Sequence, residues 1–138
     1  MPRLRALLDT NVILDWMFQD RPQHAEAVEL FRAVSDCRLD AFVTPTSLAT
    51  VFYIAGRVLT QPMLAESLVA IRKLCGIAAQ DAGVVDDALH WEEADFEDGL
   101  ILCAARAAGC SIIVSRDEKA FLGFEGAKVD ERGCLDLI

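Results

Sequence analysis

Apolar residues come in short blocks along this chain, and the spacing inside each block predicts its element. "LRALL" (4–8) is a continuous apolar run, read as a buried first strand. From Ala25 to Val34 apolar residues recur at helical spacing in "AEAVELFRAV", and "DAFV" (40–43) reads as a second strand. "TPTSLATVFYIAGR" opens on polar residues and Pro45, then sets Leu48, Val51, Phe52 and Ala55 on one helical face, with Gly56 near its end. The next helix starts near Pro62, and Leu64, Leu68, Ile71 and Cys75 give an i, i+4, i+7, i+11 stripe. "GIAAQ" (76–80) is a third strand, "VVDDALHW" (84–91) a short helix and "DFEDGLILCAARAAG" (95–109) a longer one closed by Gly109. "SIIVS" (111–115) is the clearest strand of all, and "AKV" (127–129) fits a last, short one.

Strands that alternate with helices imply parallel pairing and right-handed crossovers. "LRALL" and "SIIVS" are too continuously apolar for a wet side, so helices must cover both faces of the sheet. The expected fold is therefore a three-layer α/β/α domain. The 138 residues suit one such domain, and no repeat, linker or low-complexity tract divides them.

Composition narrows the function classes. A formal net charge of −9 argues against a basic module that grips nucleic acid by bulk electrostatics. It does not exclude a nuclease, because clustered carboxylates are what a divalent-cation site requires. The five cysteines include no CxxC pair, and Cys75, Cys103 and Cys110 lie in or beside apolar runs, so free thiols in a reducing cytoplasm are expected. His24 and His90 have no zinc-type spacing and read as structural or surface residues. The apolar run in "MPRLRALLD" is too short for a signal peptide, and no stretch approaches a membrane span of ~18 apolar residues.

The candidate chemistry lies in acids at the ends of elements. Asp9 follows the first strand and Asp117 follows "SIIVS", so in a parallel sheet both emerge at the carboxyl edge. Asp98 stands in the first turn of the helix leading into "SIIVS", and that helix also begins at this edge. If the first strand and "SIIVS" are neighbours, the chain reverses its winding between them, and that crevice is the usual ligand site of open α/β sheets. Carboxylates gathered there repel one another unless a cation neutralises them, and all-oxygen ligands favour Mg2+ or Mn2+ over zinc. Each acid also has a structural reading. Asp9 suits a cap for a helix beginning near Asn11, Asp95 and Asp98 have capping-box spacing, and Asp117 suits a turn.

At these residues the sequence resembles the PIN-domain family of small metal-dependent nucleases, which includes the VapC-type toxins of bacterial toxin–antitoxin pairs. The resemblance rests on Leu8-Asp9-Thr10-Asn11 after the first strand, on "DFEDGLILCAARAAG", and on "IIVSRDEKAF" (112–121), in that order. It implies a central parallel sheet of four or five strands in the order 3-2-1-4-5. It also implies metal-binding roles for Asp9, Asp98 and Asp117, with Asn11 as a supporting polar residue and Thr10 and Ser115 holding the backbone around the site. Two departures thin the expected cage. Thr50 stands where many members place a glutamate, and Ala120 stands where relatives often have an aspartate. Glu97 or Asp95 is a candidate for a further oxygen.

The expected function is a Mg2+- or Mn2+-dependent endoribonuclease whose metal activates water for attack on a phosphodiester. Arg116 and Lys119, at the same rim, are candidates to contact phosphates. The resemblance also implies a toxin role, an antitoxin whose tail covers the acidic rim, and a homodimer. The alternative is a degenerate PIN fold that binds partners without catalysis, motivated by Thr50, Ala120 and the net charge of −9. An aspartyl-nucleophile phosphatase fits less well, because Asn11 stands where such enzymes have a second aspartate, and no GxGxxG follows "LRALL" to suggest a dinucleotide site.

Overall fold

Five strands form one all-parallel sheet in the order β3-β2-β1-β4-β5. The computed structural model describes residues 2–93 and 95–138. In chain order the elements are β1 (Arg5–Leu8), α1 (Thr10–Met17), α2 (His24–Ser35), β2 (Asp40–Val43), α3 (Pro45–Ala55), α4 (Gln61–Leu74), β3 (Gly76–Ile77), α5 (Ala82–Leu89), α6 (Phe96–Ala107), β4 (Ile112–Val114), β5 (Ala127–Val129) and α7 (Glu131–Leu137). The third strand is shorter than "GIAAQ" suggested, and two helices, α1 and α7, join the elements read from periodicity. The first of them is the helix that Asp9 was suited to cap.

The strand side chains alternate between two cores, which is why the inner strands read as unbroken apolar runs. Ala6 and Leu8 pack with Val12, Ile13, Leu30, Val51 and Ile71 on one face. Leu7 and Ile113 pack with Ile101, Leu102, Ala105 and Phe121 on the other. The alanines of α6 leave little side-chain bulk, so Ala104 and Ala105 are fully buried against the sheet. Arg5 pins the far end of that helix: its Nε and Nη2 donate to the Ala108 carbonyl at 3.1 and 2.6 Å, while its guanidinium lies 4.3 Å from the centre of the Phe42 ring. All five cysteines are free; Cys75, Cys103, Cys110 and Cys134 are buried and Cys37 is exposed. No helix among the described residues is long and apolar enough to cross a membrane.

Two pairings decide where the chemistry goes. β1 lies between β2 and β4, with Leu8 in register with Val114. The chain therefore changes winding direction beside β1, and the ends of β1 and β4 open into the crevice where open α/β sheets bind ligands.

Candidate active site

Asp9 ends β1 and begins α1, and it serves both. Its backbone N–H donates to the Val114 carbonyl at 3.0 Å, continuing the β1–β4 ladder by one residue. Its Oδ1 accepts the Thr10 N–H at 2.8 Å as the N-cap of α1. Its Oδ2 accepts the Ser115 hydroxyl at 2.8 Å. The helix-cap reading of Asp9 is thus correct, and it leaves the carboxyl buried at the crevice. Burial pushes its pKa up against those two hydrogen bonds, and the charges of Asp117 and Glu97 push in the same direction.

Ser115 links the two strand ends. Its Oγ, having donated to Asp9, accepts the Asp117 N–H at 3.1 Å. The Asp117 side chain accepts the Lys119 N–H at 3.0 Å, and Lys128 from β5 donates to the carbonyls of Asp117 and, at 2.6 Å, of Ala120. The turn that carries Asp117 is therefore held from both sides. Lys128 was not singled out from sequence, since an isolated lysine in a short strand carries no signal.

Asp98 faces the same rim from the first turn of α6. Its pKa is pushed up to about 7, by burial first and then by repulsion from Asp95, Asp9, Glu93 and Asp117. Asp95 itself is the α6 cap, accepting the N–H groups of Glu97 at 2.8 Å and Asp98 at 3.3 Å. Glu97 points toward α3, where Thr50 Oγ1 lies 3.1 Å from its Oε1 and at the same distance from the Thr46 carbonyl. The residue in the expected glutamate position of α3 thus reaches a glutamate supplied by α6. Thr10 ties α1 to α3 through a 3.0 Å hydrogen bond to Ser47, and Asn11 lies exposed in the first turn of α1. Lys119 is exposed beside Asp117, while Ala120 is buried in the core beneath the turn.

The acids share a rim and feel one another's charge, yet they do not form a closed cage. Among the described residues no three His, Cys, Asp or Glu side chains stand close enough to hold one ion. The donor set nevertheless suits a hard cation: it is all oxygen and mutually repulsive, and Asp98 and Asp117 are partly or fully exposed. Asp9, Asp98, Asp117 and Glu97 are the residues that would hold such an ion.

Arg116 takes a different place from the phosphate-contacting one its position suggested. Its guanidinium turns inward, with Nε 3.0 Å from Asp15 Oδ2 and Nη2 2.9 Å from Asp15 Oδ1. Arg21 also reaches Asp15, at 3.2 Å, and His24 Nδ1 donates to the Asp15 carbonyl at 2.8 Å. Glu131, the first residue of α7, lies 3.6 Å from Arg116 Nε. Asp15 is 0% exposed and Glu131 1%. As bare acceptors, both carboxyl oxygens of Glu131 would lack a hydrogen-bond partner. A proton on Glu131, donated to Asp15, gives one of the two oxygens a partner. Burial and that shared hydrogen bond push the Glu131 pKa up to about 8. For Asp15, burial alone would raise the pKa, but the Glu131 hydrogen bond and the Arg116 guanidinium outweigh it and hold the carboxyl below its usual range.

This pair gives the protein a pH-dependent stability. Between the ordinary value of 4.5 and about 8, the folded state keeps a proton on Glu131 that the unfolded state has released. The stabilisation is complete below that window and is lost as pH rises through it, with a slope of up to ~1.4 kcal/mol per pH unit. Asp15 acts in the opposite sense, and only on the acid side of its ordinary value of 3.8. Glu131→Gln retains an N–H donor for Asp15 and cannot titrate. Urea unfolding from pH 5 to 8 is expected to show a steeper decline for the wild type than for this variant; parallel curves would contradict the shared proton.

Comparisons with known proteins agree with this architecture. The sequence matches the PIN domain family over residues 5–119. No curated protein matches it. Among solved structures, it is similar to Mycobacterium tuberculosis VapC20, described as a sarcin–ricin-loop-cleaving toxin, at 16% identity over 82% of this chain and 90% of that one, with a TM-score of 0.66. It is similar to VapBC2 from Rickettsia felis, solved with a promoter DNA fragment, at 14% identity over 92% and 98% of the two chains, with a TM-score of 0.68. A toxin–antitoxin complex from Klebsiella pneumoniae aligns at 19% identity over 88% and 94%, with a TM-score of 0.66. Identities this low establish shared fold, whereas the family match extends from the first strand through the Asp117 turn. The chain belongs to the PIN-domain family.

Proposed function

We propose that this protein is a Mg2+- or Mn2+-dependent endoribonuclease and the toxin of a toxin–antitoxin pair. The observation that carries the reading is the convergence of Asp9, Asp98 and Asp117 at the adjoining ends of β1, α6 and β4, where burial first, and then repulsion from Asp95, Asp9, Glu93 and Asp117, pushes the Asp98 pKa up to about 7. Buried acids whose charged forms are disfavoured by their neighbours gain from a divalent cation. Such an ion supplies the charge that acidifies water and stabilises a phosphoryl oxygen.

The protein's own residues set the geometry. Ser115 holds the Asp9 carboxylate and the Asp117 backbone together through one hydroxyl. A bound cation would favour the ionised form of Asp98. Thr50 orients Glu97 toward the same rim. Lys119, exposed next to Asp117, is placed to meet a phosphate. A protein antitoxin that covers the rim, a homodimer and a cytoplasmic setting complete the proposal. The toxin–antitoxin complexes among similar structures support the antitoxin partner.

Purified protein is expected to cleave RNA with Mn2+ or Mg2+ and to stop when EDTA is added. Cleavage that persists in EDTA would remove the mechanism. A second reading, a PIN fold that binds partners without catalysis, is favoured by the open spacing of the acids and by Ala120 in the core. Calorimetry separates the two: no heat of Mn2+ binding at millimolar concentration would select the second.

A further inference from the structure

A cavity of about 690 Å3 adjoins the acidic rim and is lined by His90, Trp91, Glu92, Glu93, Lys119 and the Leu122–Gly123 turn. It shares two residues with the rim. Lys119 donates its backbone N–H to the Asp117 carboxylate. Glu93 accepts the Phe121 N–H at 3.1 Å and is among the charges that repel Asp98. A polymer whose backbone lay across the acids would have its neighbouring residue at this opening.

The indole of Trp91 is partly buried in the wall of this cavity. Arg106 lies 4.7 Å from its ring centre and is itself held by Glu125 at 2.9 Å. Gly123 borders the ring with no side chain: a methyl added there would sit 3.4 Å from Nε1 and 3.6 Å from Cζ2. Among the described glycines only Gly109 has a positive φ, so the Gly123 backbone does not itself require glycine. Its effect is to leave the Nε1 edge of the indole uncovered by any side chain at this position. Two carboxylates, Glu92 and Glu93, line the same space and suit N–H donors, while Lys119 stands on the side toward the rim.

We infer that this cavity is a subsite for one unpaired guanine of the RNA, stacked against Trp91 and hydrogen-bonded by Glu92 and Glu93, beside the phosphate that the acidic rim engages. Guanine is the nucleobase whose pairing edge presents adjacent N1–H and N2–H donors, and these match a carboxylate. Stacking on an aromatic with hydrogen bonds to the pairing edge is how proteins read single-stranded RNA. The inference rests on the RNA-cleaving reading of the rim, but it can be tested apart from cleavage.

The sequence has two tryptophans, and Trp16 is stacked on Phe31 with ring centres 4.8 Å apart, so Trp16→Phe leaves Trp91 as the sole reporter. In that background guanosine 5′-monophosphate is expected to quench fluorescence saturably, about tenfold more tightly than the uridine nucleotide, with ribose 5-phosphate inert. Gly123→Val, which fills the space and leaves Trp91 in place, is expected to abolish quenching while the circular dichroism stays unchanged. In the wild-type background, Trp91→Ala is expected to raise KM for a guanine-containing oligoribonucleotide about tenfold with a smaller change in kcat. Absence of quenching by all four nucleotides, or equal quenching by ribose 5-phosphate, would overturn the subsite even if RNA is cleaved. Saturable guanosine quenching in a protein that cleaves nothing would support the subsite and remove the nuclease.

Discussion

Asp9→Asn is expected to lower RNA cleavage roughly 100- to 1,000-fold, the few kcal/mol that a charged ligand contributes to a catalytic cation. The fold is expected to survive. The asparagine carbonyl keeps the Thr10 hydrogen bond that caps α1, and its amide meets Ser115 Oγ where the carboxylate now accepts. The buried charge is the costly part of the wild-type site, since burial raises the Asp9 pKa. Without metal, the variant should therefore melt no lower than the wild type. With millimolar Mn2+ the wild type should gain melting temperature through ligand linkage and the variant should not. Cleavage above a tenth of the wild-type rate, or an undiminished Mn2+ shift, would remove Asp9 from the cation site. The paired measurement distinguishes a lost ligand from a damaged fold.

The largest loss of stability is expected at Arg116. Arg116→Ala removes both guanidinium contacts from Asp15, which has no solvent exposure, and leaves it Arg21 at 3.2 Å as its one remaining cation beside the Glu131 proton. Breaking a buried ion pair from one side costs about 3–5 kcal/mol, because the remaining charge stays desolvated. Arg116→Lys should fall between, since an ammonium cannot reproduce the two-pronged contact with Asp15. Urea denaturation at pH 7 measures both. A loss below about 1 kcal/mol for the alanine variant would mean that the network contributes far less than a buried pair should.

The parallel α/β architecture was legible because it depends on local pattern, whereas the sheet order came from the family resemblance. "LRALL" and "SIIVS" announce buried parallel strands, and the parallel arrangement sends Asp9, Asp98 and Asp117 to one edge. The Arg116 network was hidden for the opposite reason. Its partners, Asp15 and Glu131, lie in helices whose facing depends on packing, and the Arg116–Asp15 contact spans 101 residues. The one available hint was an acid alone in the apolar run "VILDW". The last helix escaped detection because its seven residues include Gly133 and carry no apolar period; the Asp130 cap was its only mark. The approach of Glu97 to Thr50 was likewise hidden, because it depends on how α3 and α6 sit over the crevice.

Arg5, at the opposite end of β1 from Asp9, grips the carbonyl at the C-terminus of α6. The helix that carries Asp98 is therefore anchored at its tail to the very strand that carries Asp9, and it behaves as a strut rather than a hinge. Drawing these two acids together by sliding α6 would have to strip Arg5 from Ala108. If the rim takes an ion as proposed, accommodation would fall to rotation of side chains at the head of the helix rather than to movement of the helix itself.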